Sequence, residues 1–345
     1  MCPSTWFGAP PSRDALRPEW YPTSPRSAAG QPSGIDIRTS AGIVIRVSNK
    51  LFAAWSSFSR LALVGMIVWV AALAILPAPV AARILLLAPL VIVPRLLALL
   101  PDRRWIARLG GWPTFLAALP LLAAFALPAS PTAAVFVVPW LVVAVVGALA
   151  AVLHGLANLL SILQPRRLAD LGLDVALGFW AVGAIFTVID RLGLDTGFST
   201  TIVLLTATHF HFAGFGLLGL GSLLARRRPW LRAPVAGLIV GIPLTALGFV
   251  LVSDAINAVG TVFVGLSGIA VGIGLLTITA TGISRWAARA AGMALLIGMP
   301  MGIAWSMAIL VGASFLDLDT MVRTHGALNA TAILLGVAAY HSEAP

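Results

Sequence analysis

From Leu61 onward the chain is a succession of long apolar runs, each closed by a proline, a glycine turn or a cluster of charge. A hydrocarbon slab of about 30 Å needs roughly 20 helical residues to cross it. On that measure the pattern predicts ten spans: 58–76, 80–100, 112–128, 131–153, 171–189, 199–222, 234–252, 258–281, 290–312 and 321–340. Pro77, Pro101, Pro128, Pro131 and Pro229 fall at their boundaries. Pro89, Pro94, Pro120, Pro139, Pro243 and Pro300 fall inside them, where a missing N–H frees a carbonyl and kinks a helix. Residues 1–55 lack any such run and are rich in Pro, Ser, Gly and Arg. They read as a disordered, basic, cytoplasmic tail ahead of a single helical membrane domain, 56–345. No apolar core of a signal peptide occurs before Leu61.

Composition agrees with this pattern. Of 345 residues, 59% are apolar and 10% charged, with one cysteine, Cys2. Soluble domains carry about 25% charged residues. An ordinary soluble enzyme and a disulfide-stapled domain are therefore excluded, and the fold class expected is an all-α, polytopic membrane bundle. The net charge is +10, yet the basic residues sit in short clusters between apolar runs and have no base-stacking aromatics among them. They read as topology signals, with no nucleic-acid partner. Of the 22 basic residues, all but Arg83, Arg95, Arg191 and Arg323 fall before the first span, at its start (Arg60) or in the loops after even-numbered ones. Trp55, Trp105, Trp112, Trp230 and Trp286 mark the same side. Both termini are therefore expected in the cytoplasm.

Ionisable groups inside a bilayer are costly, so those within spans are the candidates for chemistry. The sixth span carries His209 and His211 near its middle. The tenth opens with His325-Gly326-Ala327-Leu328-Asn329, and the fourth closes with His154-Gly155-Leu156-Ala157-Asn158. In each, His and Asn at i and i+4 share one helix face. On a regular helix His209 and His211 point about 200° apart, so they cannot hold one ion together. No helix-borne metal spacing occurs, and neither a metal nor another cofactor is expected. Asp317-Leu318-Asp319 lacks the third acid of a diphosphate–magnesium site, and Gly214-Phe215-Gly216-Leu217-Leu218-Gly219 follows no strand. Of the acids, Asp254 (with Asn257 three residues on) and Asp319 are placed to donate protons from the external rim. Asp190 is expected to pair with Arg191, Asp174 to favour a helix N-terminus, His154 to sit at the interface and Arg95 to snorkel.

The stretches His209-Phe210-His211-Phe212-Ala213-Gly214-Phe215 and His325-Gly326-Ala327-Leu328-Asn329-Ala330 resemble the YndJ-like family of bacterial membrane proteins, over about 58–340. The resemblance implies a multi-pass protein of the bacterial inner membrane, in a family often labelled as transporters. By type alone, the chain is also similar to bacterial integral-membrane terpene cyclases of indole-sesquiterpenoid pathways.

These readings converge on a membrane-embedded enzyme that cyclises a lipophilic isoprenoid or prenylated aromatic by acid/base chemistry. His209, His211, Asp254, His325, Asn329 and Asp319 would carry protons. Trp140, Trp180, Phe212, Phe215, Asn257 and Trp305 would line the chamber and steady a cation. A proton-coupled carrier using the same residues is the second reading, and a non-catalytic scaffold the third. The partners expected are a lipophilic small molecule and the lipid bilayer.

Overall fold

The computed structural model describes residues 35–38, 44–47, 60–100, 104–158, 164, 167–313 and 316–343. The chain divides into two units, Met1–Phe52 and Ala53–Pro345. In the first, β1 (Ile35–Arg38) and β2 (Val44–Val47) form an antiparallel hairpin with Ile35 opposite Val47. The rest of the expected tail lies outside the described residues.

The second unit is helical. Among its described residues, ten helices follow the ten apolar runs. They are α1 (Arg60–Ile75), α2 (Val80–Ala98), α3 (Trp112–Ala126), α4 (Val138–Ala157), α5 (Leu168–Leu192), α6 (Thr200–Arg227), α7 (Pro229–Val250), α8 (Asp254–Leu276), α9 (Gly282–Leu310) and α10 (318–343). Seven of them, α2 and α4 to α9, are long and apolar enough to cross a membrane; α1 and α3 are shorter. Boundaries shift where backbone hydrogen bonding outruns hydrophobicity. Thus α9 begins eight residues before its apolar window and carries Arg285 and Arg289 in its first turns. Helix α4 starts at Val138, after a separate turn Pro131–Val135, so Pro139 initiates a helix instead of kinking one.

Two helices form the interior. The most apolar stretch of α2 is 83% buried and that of α6 72%, against 22–50% for the other five. Helix α6 touches α2, α5, α7 and α10. Both inner helices, and α10, depart from α-helical winding. Ala88–Ile92 in α2, Phe210–Leu217 in α6 and Val322–Gly326 in α10 are π turns. In α2 a cause is visible. Pro94 has no N–H for the Leu90 carbonyl, and the local pattern widens, with Val93 N–H reaching the Ala88 carbonyl. Gly65 of α1 lies directly against that Leu90 carbonyl, where a side chain would collide with it.

Candidate functional site in the bundle interior

Single π turns collect at functional sites because they re-aim side chains without breaking a helix. Here two of the three contain the histidine motifs. His209 ends the regular part of α6 and His211 is the second residue of its π turn. The two rings diverge.

His211 is locked. Its Nε2 accepts a hydrogen bond from Trp140 Nε1 at 3.0 Å and its Nδ1 lies 2.8 Å from the Ala207 carbonyl. An indole N–H only donates and a carbonyl only accepts, so the proton is on Nδ1 and the ring is neutral. Trp140 stacks on the imidazole at 5.9 Å and meets Trp180 edge-on at 5.2 Å, and Trp180 packs on Phe215 at 5.5 Å. Trp140 and Trp180 have no accessible surface (0%). Gly183 of α5 admits the ring, since a Cβ there would fall 2.6 Å from Nδ1. These aromatics form a solid wedge between α4, α5 and α6 and line no open chamber; Phe212 is also buried.

His209 is different. Its Nδ1–H donates to the Leu205 carbonyl at 2.8 Å, and among the described residues the Nε2 lone pair has no hydrogen-bond partner. The residue is exposed. Helix α6, which carries His209, packs against α10, which carries His325.

His325 and Asn329 pair as their spacing predicts. His325 Nδ1–H donates to the Gly298 carbonyl of α9 at 2.7 Å, so its Nε2 accepts from Asn329 Nδ2 at 3.1 Å. Asn329 is 7% exposed, and its buried Oδ1 has no hydrogen-bond partner among the described residues. Gly298 and Gly302, one turn apart on α9, make the surface on which the pair rests. A Cβ would fall 2.6 Å from Asn329 Oδ1 at the first and 2.8 Å from His325 Cε1 at the second. Small residues one turn apart let two helices pack closely, and here they also form the floor beneath a polar pair. Gly302→Ala is expected to push the imidazole off its carbonyl and to destabilise the protein by about 1–3 kcal/mol, read as a lower thermal midpoint in detergent.

The remaining candidates lie elsewhere. Asp254 is exposed in the first turn of α8, and among the described residues no hydrogen bond or ion pair joins it to an imidazole. Asn257 ties three helices together: its Nδ2 donates to the Thr245 carbonyl of α7 at 3.3 Å and its Oδ1 accepts from Ser306 Oγ of α9 at 3.1 Å. Trp305 Nε1 donates to the Leu316 carbonyl at 3.1 Å. Asp319 is exposed and accepts from Arg323 Nε at 2.6 Å. Asp317 caps α10, and hydrogen bonds from the Thr320 backbone and hydroxyl hold its carboxyl below the usual pKa. Asp190 pairs with Arg191 at 2.7 Å. The second His-Gly-x-x-Asn copy does other work. His154 reaches Asp174 of α5 at 2.9 Å, while Asn158 Nδ2 donates back to the His154 carbonyl. The α4–α5 tie between His154 and Asp174 had no signal in spacing, because its two ends are 20 residues apart in different spans.

The candidate site is His325 and Asn329 on α10, resting on α9, with His209 on the neighbouring α6. A helical bundle with seven helices of membrane-crossing length and polar side chains gathered inside it has the make-up of a multi-pass membrane protein. Residues 83–333 match the family described as YndJ-like protein, and the chain belongs to that family. The matched stretch includes all three π turns. No curated protein matches the chain, and no solved structure does.

Proposed function

We propose that the protein is a carrier of the bacterial inner membrane that exchanges protons for a small hydrogen-bond-donating solute at His209. The observation that carries this reading is the hydrogen-bond inventory of the site. Both imidazoles give their Nδ1 proton to a backbone carbonyl. The atoms left over, His209 Nε2 and Asn329 Oδ1, are both acceptors. Such a pair favours ammonium, an amine or a hydroxyl donor and disfavours an anion.

Coupling follows from the same lone pair. His209 Nε2 can hold a proton or accept from a solute, not both. Binding of each therefore weakens the other, and the weakening is reciprocal. Release of solute on one side and loss of the proton on the other give exchange. Interrupted helices at mid-membrane are where carriers place such sites. The arginine distribution, together with ten helical segments, supports ten crossings with both termini in the cytoplasm.

Acid-initiated cyclisation of an isoprenoid is less well supported. It calls for an acid beside the imidazoles and for open aromatic walls. Asp254 stands exposed at the end of α8, and Trp140, Trp180 and Phe215 are packed on one another.

The test uses purified protein in liposomes containing a pH-sensitive dye. A gradient of ammonium, methylammonium or a polyol is expected to drive proton flux above that of protein-free vesicles. In Asn329→Leu the concentration for half-maximal flux should rise about tenfold or more, as losing a hydrogen bond to a charged donor (about 1.5–3 kcal/mol) requires. In His209→Ala the flux should vanish. Unchanged flux in His209→Ala, or conversion of a linear isoprenoid to a cyclic isomer by the wild type, would overturn the reading.

A further inference from the structure

A groove of about 510 Å³ runs along the outward face where α7 meets α8. Small residues, Ala236, Gly237 and Ser267, contribute to its floor, and Val240, Phe263 and Leu266 form its walls. Gly237 and Ser267 are in direct contact, so the two helix backbones approach closely beneath it. At one end it opens at Ala233 and Pro234, immediately after Arg232. From Ala233 to Val240 it extends for about 10 Å along the helix axis, most of the roughly 15 Å depth of one leaflet.

The end of the groove differs chemically from its length. Four arginines lie in and beside the turn between α6 and α7. Arg226 pairs with Asp170 at 2.7 Å, Arg227 lies over the Tyr340 ring at 4.7 Å, and Arg228 bonds to Thr277. For Arg232 the described residues supply no hydrogen-bond partner, and its Nε is buried. A buried, unpaired guanidinium nitrogen is costly and calls for an acceptor. Trp230, two residues earlier, is exposed at the same level, where an amphipathic ring sits among lipid headgroups.

We propose that the groove holds an acyl chain of an anionic glycerophospholipid whose phosphate is bound by Arg232. The guanidinium fork matches phosphate oxygens, and the apolar channel begins where the ester-linked chain would enter. A second copy of this chain fits less well. Paired through this face in one membrane, two copies would bring their Arg232 side chains together, and like charges would oppose contact.

The experiment uses the purified full chain in detergent with phosphatidylglycerol or phosphatidylcholine, each carrying a photoreactive diazirine near the end of one acyl chain. Phosphatidylglycerol is expected to label peptides of α7 and α8 about tenfold more than phosphatidylcholine does, the preference that a charge-assisted hydrogen bond supplies. Arg232→Gln should abolish the preference. Ala233→Phe, which blocks the opening, should lower labelling by both lipids. Arg285→Gln, at the start of α9, should leave the preference intact. Equal labelling by the two lipids, labels confined to other helices, or an equal loss in Arg285→Gln would overturn the proposal, the last by assigning the effect to diffuse surface charge.

Discussion

Trp140→Ala is expected to produce the largest loss of stability of any single substitution in the bundle, about 3–5 kcal/mol. The side chain has no accessible surface and touches both His211 and Trp180. Truncation opens a cavity between α4, α5 and α6 and also deprives the buried His211 Nε2 of the Trp140 donor. Trp140→Phe separates the two effects. It keeps most of the volume and removes the N–H, so a loss of about 1–3 kcal/mol, the cost of an unsatisfied buried acceptor, is expected. Unfolding of the purified protein in mixed detergent, followed by tryptophan fluorescence, measures both. Equal stability of Trp140→Phe and wild type would mean that water or another group replaces the indole donor.

Gly260→Ala is expected to cost up to about 3 kcal/mol, at the top of the range for overpacking. A Cβ at this position would fall 2.8 Å from the Cα of Thr245 and closer still to its nitrogen. A backbone cannot swing aside as a flexible side chain can, so α7 and α8 must separate along their length. Gly248 makes the converse approach, to the backbone of Asn257. The Asn257 bridge to Thr245 and Ser306 should therefore break in the same variant. A lower thermal midpoint, with faster proteolysis at the α7–α8 turn, is the expected result.

The positions of the helices were legible because the bilayer imposes a length and a composition. The apolar runs from Leu61 to Tyr340 are helical, and the arginine clusters lie at or near helix ends. Their ends were less legible. Helix α9 continues through Arg285, Trp286 and Arg289, because intrahelical bonding does not stop where hydrophobicity does. The divergence of His209 and His211 follows from their i, i+2 spacing. What each ring meets does not, since Trp140 lies 71 positions from His211 in the chain, and Gly298 lies 27 from His325. The π turns were illegible for another reason. Prolines mark where a bond must be lost, as Pro94 does, but nothing in Phe210–Leu217 or Val322–Gly326 states that the backbone will rewind by i→i−5. Small residues such as Gly214 and Gly216, against Phe179 and Ile333, show only that neighbours approach closely there.

Helix α9 is 29 residues long, about 43 Å at 1.5 Å per residue, while the hydrocarbon slab is about 30 Å thick. The surplus is accommodated by inclination of the rod or by projection of its arginine-bearing turns among the headgroups. Gly298 and Gly302 ride on that rod beneath His325 and Asn329. A thinner bilayer is therefore expected to increase the lean of α9 and to load the glycine face on which the imidazole–amide pair rests.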